Sequence, residues 1–184
     1  MPPSPSLHVA QFYEDDQFLT DSLVEFMKAG LQGKERVIII ATASLWETLC
    51  HAFNPDELCD EHLTFFDANV LLAELMVEDW PDYSVFMQVV GRPIQEACHR
   101  GRVRVYGEMV AILWSRGLYQ EALCLEGLWN TLQTTESFTL LHAYPHRPQA
   151  HTPGADSETL LALYHAHSQV LHQNPESPVP PSTR

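Results

Sequence analysis

Basic residues are scarce in this sequence, and their scarcity argues against one class of partner. The chain has 10 Lys and Arg against 24 Asp and Glu, which gives a formal net charge of −14. A field of this sign repels phosphate backbones and anionic lipid headgroups, and no Lys/Arg cluster interrupts it. We therefore expect no direct contact with nucleic acid and none with membranes.

Long apolar runs are also missing. No wholly apolar stretch approaches the roughly 20 residues that a membrane-spanning helix needs. The opening residues, MPPSPS, do not resemble the apolar core of a signal peptide. We therefore expect a cytoplasmic protein, and 184 residues of which 45% are hydrophobic suffice for one compact domain with its own core.

The cysteines lack the spacings that would predict a disulfide framework or a zinc site. No C-x-x-C pair occurs among the four, and their density is far below that of a secreted disulfide scaffold. We expect buried free thiols at all four positions: Cys50, Cys59, Cys98 and Cys124.

Histidines, in contrast, are numerous, and two pairs suggest metal ligands. The chain has 10 of them, including His165/His167 and His142/His146. On a helix, residues two apart point in different directions, and Pro145 separates the second pair from any shared helix face. Ligand geometry makes a metal site, not the number of histidines. We therefore predict no metal and no cofactor.

Apolar runs and amphipathic stretches alternate along the chain. The segment ERVIIIAT is a continuous β-branched run, typical of a strand covered on both faces of a parallel sheet. We predict strands at residues 8–13, 35–42, 62–67, 102–107 and 138–144, with helices between them and a final helix at 157–172. Alternating strands and helices predict a three-layer α/β fold with a mainly parallel sheet.

Domain boundaries follow from the composition of the two ends. Residues 8–172 carry the alternating pattern and are expected to form one domain. Residues 1–7 and 173–184 are rich in Pro and Ser and are expected to be disordered.

A carboxylate at the end of one predicted strand raises a functional question. Glu108 follows Gly107 directly, where RVRVYG gives way to the helical pattern MVAILW. In open α/β sheets, ligands bind outside the carboxyl ends of the strands, where Tyr13, Asp67 and Tyr144 are also expected. Glu108 is either part of such a site or a first-turn residue favoured by the dipole of its helix.

Five short motifs occur in a family-like order: F-Y-E-D-D, G-L-Q-G-K-E, V-R-V-Y-G-E-M, L-E-G-L-W-N and A-Y-P. Together with the late A-H-S, they span nearly the whole predicted domain. In this combination the chain resembles the MEDS family, a sensory domain named after methanogens, methylotrophs and the dichloromethane-responsive regulator DcmR.

The resemblance implies a fold similar to the RecA-like ATPases, without a working phosphate loop, and a role in signal input. Gly33-Lys34 does not supply that loop, because the G-x-x-x-x-G-K-[ST] spacing is missing and the pair follows a helix instead of a strand. The family's domains occur alone or joined to kinase, anti-sigma or DNA-binding modules. Since no output module follows here, the implied partner is a separate kinase, anti-sigma factor or transcription regulator.

The resemblance, combined with strand alternation and helix spacing, gives the expected ligand-binding residues. Alternate strand positions put Tyr106 with Glu108, and His142 with Tyr144, while Glu126 and Asn130 lie one helical turn apart. We expect a mostly apolar pocket for a small organic effector. The full set is Tyr13, Glu14, Tyr106, Glu108, Glu126, Asn130, His142 and Tyr144.

Some of these positions have a plain structural alternative. Glu126 and Asn130 would otherwise form a helix-surface hydrogen bond worth a few tenths of a kcal/mol. Trp129 is expected in the core, and His167 is expected to be a packed, hydrogen-bonded side chain. His142 stands where family members often carry cysteine, which argues against thiol-based sensing at that position.

Three functions compete. The leading one is a sensory domain without catalytic activity. The second is a protein-interaction module with an empty ancestral pocket, which predicts an exposed apolar patch. The third, an enzyme with Glu108 as general base, requires a partner group within hydrogen-bond reach.

Overall fold

The computed structural model describes residues 6–145 and 157–173. Strand formation begins at Leu7, which pairs with Thr139, so the predicted disordered start is one residue too long. The rest of the two predicted disordered ends falls outside the described residues, except for Ser6 and Gln173. The Gln173 side chain accepts hydrogen bonds from the Glu14 and Asp15 amides at 2.7 and 3.3 Å, so the chain is still docked there.

Eight strands are present in the described residues. They are β1 (Leu7–Tyr13), β2 (Arg36–Ala41), β3 (Leu63–Asp67), β4 (Met76–Val77), β5 (Trp80–Pro81), β6 (Val103–Gly107), β7 (Thr139–Pro145) and β8 (Gln169–His172). Six of them form one sheet in the order β3-β2-β6-β7-β1-β8, and every neighbouring pair in it is parallel. The predicted α/β fold with a mainly parallel sheet is confirmed.

Helices cover both faces of this sheet. They are α1 (Asp16–Gln32), α2 (Ala43–Cys50), α3 (Pro55–Leu58), α4 (Ala68–Leu75), α5 (Tyr83–Phe86), α6 (Arg92–Cys98), α7 (Met109–Ser115), α8 (Tyr119–Thr135) and α9 (Ser157–His165), with a π-helical segment Met87–Gly91 joining α5 to α6. One apolar cluster lies under α1 and α2, and a larger one lies under α4 to α9. The fold is therefore three-layered.

Local sequence explains the central elements well. In β2 the run Val37 to Ala41 is buried throughout, as expected for a strand covered on both faces. Helix α1 begins where Asp15 caps it, accepting hydrogen bonds from the backbone amides of Gln17 and Phe18. Its apolar face is buried against the sheet, and each fully buried Leu there contributes roughly 1.5–3 kcal/mol.

Side-chain alternation in β1 and β7 places four polar or aromatic side chains on the same face of the sheet. His8 and Phe12 point to the α8 side of the sheet, as do His142 and Tyr144. In the parallel register Ala10 is opposite His142, and Phe12 is opposite Tyr144. His8 and His142 are thus diagonal neighbours on one face, and the small Ala10 leaves room between them.

The predicted final helix is too long. It ends at His165, and residues 169–172 form β8, the edge strand beside β1. The region around Trp80 is a short β-hairpin between α4 and α5. Leu118 precedes α8 and is 37% exposed, and the buried stripe of that helix begins at Ala122.

The cysteines are free thiols, as predicted, but none of them is fully buried. Cys59 is exposed and the other three are half-buried. Among the described residues, no helix has the length and apolar character needed to cross a bilayer.

Candidate functional site

The eight predicted ligand-binding residues fall into two groups. Four lie near the carboxyl ends of the strands: Tyr13, Glu14, Tyr106 and Glu108. The other four lie together on the α8 side of the sheet: Glu126, Asn130, His142 and Tyr144. The two groups do not form one pocket, because Tyr106 packs in the cluster under α1 and α2 on the opposite face.

Glu108 lies at the start of α7, and its side chain bonds to a neighbouring strand end. It occupies the N-cap position of α7 but makes no side-chain cap hydrogen bond. Its carboxylate instead accepts the Thr42 backbone N–H at 2.6 Å, and its own N–H donates to Ile40 O at 2.9 Å. Burial raises the pKa of Glu108, while the hydrogen bonds from Thr42 act in the opposite direction. Glu108 therefore ties the end of β6 to the end of β2.

Of the other predicted residues at the strand ends, Tyr106 is buried, whereas Tyr13 and Glu14 line an acidic cavity. Burial, and to a lesser extent the Glu108 charge, raises the pKa of the fully buried Tyr106 well above its usual value. A cavity of about 430 Å³ is lined by Tyr13, Glu14, Asp15, Asp16 and Pro145. Three carboxylates in that lining would repel an anionic ligand.

The α8 side of the sheet carries a buried group of four ionisable side chains, which we call the polar centre: His8, Glu126, His142 and His167. Their side chains are 3%, 1%, 0% and 0% exposed. Such groups are seldom buried unless they are paired, because removing charge from water is costly. Four of them together are unusual for a hydrophobic core.

Each member of the polar centre is delivered by a different element. His8 comes from β1, Glu126 from α8 and His142 from β7, and His167 follows α9 in the turn before β8. Glu126 lies on the buried stripe of α8 between Leu125 and Trp129, which directs its carboxylate into the core.

The nitrogen and oxygen atoms of the polar centre converge closely. Glu126 Oε1 lies 3.0 Å from His142 Nδ1 and 3.1 Å from His167 Nε2. Glu126 Oε2 lies 3.3 Å from His8 Nε2, which is itself 3.2 Å from His142 Nδ1. The Tyr144 hydroxyl also donates a short hydrogen bond to Glu126 Oε1.

Outer hydrogen bonds fix two of the imidazoles. Asn130 Nδ2 donates to Ala166 O at 3.0 Å, which leaves Asn130 Oδ1 to accept from His8 Nδ1 at 2.9 Å. His167 Nδ1 likewise donates to Leu163 O at 2.8 Å. Since Nδ1 carries the proton in both rings, each neutral ring directs the lone pair of Nε2 at Glu126.

The electrostatics follow from this arrangement. A neutral His167 would place a lone pair against Glu126 Oε1, so the contact requires a positive charge between the two atoms. Burial opposes that charge, but the bond to Glu126 raises the pKa of His167 above its usual value. Burial also lowers the pKa of His142 to about 4, with Glu126 partly opposing the shift. Burial alone would raise the pKa of Glu126, yet the neighbouring imidazoles hold it well below its usual range.

Sequence reasoning found two members of the polar centre and missed two. Glu126 and His142 were predicted, but His8 was not singled out, and His167 was expected only to be packed and hydrogen-bonded. That description of His167 is correct but incomplete. Of the two histidine pairs considered in the sequence, His165 ends α9 and is exposed, so it does not join His167 in the polar centre, and His146 lies outside the described residues.

A cavity of about 350 Å³ connects the polar centre to the surface. It is lined by Ser6, His8, Asn130, Gln133, His165, Ala166, His167 and Ser168. This cavity lies at the amino end of β1, not at the carboxyl ends of the strands where a ligand was expected. Its lining is largely polar, whereas a mostly apolar pocket was predicted.

Comparison with known proteins supports one family. A search of curated proteins finds no match. The family model described as "MEthanogen/methylotroph, DcmR Sensory domain" matches residues 7–168, a range that contains all four members of the polar centre. The chain therefore belongs to the MEDS family of sensory domains.

Proposed function

We propose that this sensory domain is non-catalytic and binds a small organic effector in the cavity beside the polar centre. One observation carries the proposal: a fully buried carboxylate ringed by three imidazoles adjoins an open, polar cavity of about 350 Å³. Replacing such a group by packed apolar side chains often stabilises a protein. Its presence in a core therefore favours a role in binding.

The cavity lining indicates what kind of effector would fit. Hydrogen-bonding groups of His8, Asn130 and Ser168 line it, so the effector should itself carry polar atoms. Asn130 is bonded both to His8 and to the carbonyl of Ala166. A ligand that contacts Asn130 would thus be coupled to the polar centre and to the turn before β8.

Two observations favour a non-catalytic role. The Glu108 carboxylate is engaged by the Thr42 amide at 2.6 Å, which occupies one face of the candidate general base. Gly33-Lys34 lies at the C-terminal end of α1, where the helix dipole disfavours a phosphate. We therefore expect neither productive binding of Mg-ATP in calorimetry nor phosphate release in a turnover assay.

Signal output is proposed to pass to a separate kinase, anti-sigma factor or transcription regulator. A specific surface favours partner binding as the second candidate function. Four large apolar side chains between residues 70 and 83 are 46–55% exposed: Val70, Val77, Trp80 and Tyr83. Exposed apolar side chains of this kind would support binding to a partner protein.

Thermal unfolding with a library of small polar organic compounds tests the effector proposal. A binding compound should raise the melting temperature of the wild type, and the shift should shrink in Asn130→Ala because that side chain lines the cavity. Trp80→Ser serves as the matched control, since it alters the exposed apolar surface and leaves the cavity intact. A compound whose shift is lost in Trp80→Ser but kept in Asn130→Ala would contradict the proposed site.

A further inference from the structure

We infer that the polar centre is a binding site for one divalent first-row transition-metal ion, of which Zn²⁺ is the representative. His8 Nε2, His142 Nδ1, His167 Nε2 and a carboxylate oxygen of Glu126 would be the ligands. Binding of the ion does not depend on the proposed function. Only a sensory role for the ion rests on that function.

The spacing of the ligand atoms matches a tetrahedral ion. A tetrahedral shell with zinc–nitrogen bonds of 2.0–2.1 Å has ligand atoms about 3.3 Å apart. The four close contacts in the polar centre measure 3.0, 3.1, 3.2 and 3.3 Å. One ligand atom from each of the four residues can be chosen so that all lie within 4.8 Å of one another. Small movements of side chains would complete the shell.

The outer hydrogen bonds are those that orient metal-binding imidazoles. Ligating histidines usually donate their second N–H to a carbonyl or carboxylate, which fixes the ring and its tautomer. His8 does so to Asn130 Oδ1 at 2.9 Å, and His167 does so to Leu163 O at 2.8 Å. Both rings are therefore held with Nε2 directed at the centre before any ion binds.

Hydrogen-bond acceptors that face one another in the polar centre also favour a bound cation. His167 Nε2 and Glu126 Oε1 are two acceptors 3.1 Å apart when His167 is neutral. A proton on His167 relieves that contact in the absence of metal. A divalent cation would relieve it as well, and it would also satisfy Glu126 Oε2, which has no hydrogen-bond partner among the described residues.

The ligand types narrow the choice of ion. Three imidazole nitrogens and one carboxylate suit zinc and its first-row neighbours, whereas Ca²⁺ and Mg²⁺ prefer all-oxygen shells. The cavity beside His8 and His167 supplies an access route. Binding should displace the proton of His167 and move the Nδ1 proton of His142, so affinity should fall as the solution is acidified.

Metal analysis of the full chain tests the inference. Protein stripped with a chelator is titrated with Zn²⁺, and metal content is measured after gel filtration. We expect one equivalent in the wild type, with affinity at least 100-fold lower in His167→Gln. The matched control is His51→Gln, an exposed histidine at the end of α2, outside the polar centre and its cavity, that should still bind one equivalent. Equal binding by the wild type and His167→Gln, or no binding by folded wild type, would overturn the inference.

A second variant covers the case in which His167→Gln fails to fold. Asn130→Ala keeps all four ligands but frees the His8 ring, and loss of such an outer contact typically weakens metal affinity 10- to 100-fold. Co²⁺ provides a spectroscopic readout, since tetrahedral coordination gives intense visible bands that a surface-bound ion lacks. Weak octahedral-type bands, unchanged in Asn130→Ala, would contradict the site.

Failure of the metal inference and failure of the proposed function are distinguishable. If the organic effector binds chelated protein and the cobalt spectrum stays weak, the sensory site stands without an ion. If Zn²⁺ binds as described but no compound produces a shift sensitive to Asn130, the ion site stands and the organic effector is wrong.

Discussion

Acidification should destabilise the metal-free protein between pH 6.5 and 4, with His142 as the main cause. Burial lowers the pKa of His142 from 6.5 to about 4. In this interval the unfolded chain takes up a proton that the folded chain refuses, so stability is lost as pH falls. At 1.36 kcal/mol per pKa unit, the loss is roughly 3 kcal/mol across the interval.

Two neighbours of His142 modify the slope in the same interval. Glu126, whose pKa is held well below its usual range in the folded state, adds to the loss at the acid end, because the unfolded chain takes up a proton there that the folded chain does not. His167, whose pKa is raised, opposes the loss near pH 6.5, whereas Tyr144 stays neutral because burial raises its pKa. Above pH 6.5 stability is instead lost as pH rises, because the folded state keeps the His167 proton that the unfolded state has released.

Urea unfolding at fixed pH values in the presence of a chelator measures the effect. The decisive quantity is the difference between the wild type and His142→Asn, because carboxylates elsewhere titrate equally in both proteins. His142→Asn should lose most of the slope between pH 6.5 and 4, whereas His165→Asn, a change at an exposed histidine, should keep it. Parallel curves for the wild type and His142→Asn would refute this account of the polar centre.

Three further predictions concern the strand ends, the packing of the centre and the C-terminal boundary. Glu108→Gln should leave the free energy of unfolding unchanged or raise it at pH 7, because burial of the charge raises the pKa of Glu108; a loss of 0.3–1 kcal/mol in urea unfolding would favour a merely structural, dipole-type role. Gly107→Ala should cost about 1–3 kcal/mol in the same assay and weaken Zn²⁺ binding, because the added Cβ would lie 2.9 Å from His142 Nε2; unchanged values would contradict the close packing. Truncation after Gln173 should keep the melting temperature, whereas truncation after Ala155 should cause aggregation by removing α9 and β8; equal damage by both cuts would show that the tail docks.

Most strands of the sheet were predictable because they have local sequence patterns. The β-branched run of β2 and the alternation of β6 each predict a strand without reference to any other segment. The edge strand β8 does not, since only Val170 and Leu171 in it are apolar and its pairing is with a distant partner, β1. Because β8 closely follows α9, the helical pattern of α9 was extended through it to residue 172.

The polar centre was only half predictable for a related reason. Helix spacing joined Glu126 to Asn130, and strand alternation joined His142 to Tyr144, because both are local rules. His8 meets His142 only through the register between β1 and β7, and His167 reaches Glu126 only through the turn that precedes β8. No period in the sequence encodes either contact.

Occupation of the polar centre should be transmitted first to the edge of the sheet. His167 precedes β8, and the adjacent Ser168 is bonded to His8 through both its backbone N–H at 2.9 Å and its hydroxyl. If β8 must detach before His167 leaves the ion, Zn²⁺ at 100 times its dissociation constant should stabilise that edge by about 2.7 kcal/mol.

Amide exchange in residues 169–172 should then slow about 100-fold. The opposite edge, β3, contains no ligand and serves as the internal control, where exchange should change little. Equal slowing at both edges would mean that the ion stabilises the domain as a whole, and no slowing at β8 would mean that His167 is not held by the ion. Selective slowing at β8 would identify this strand as the element whose docking reports the state of the site.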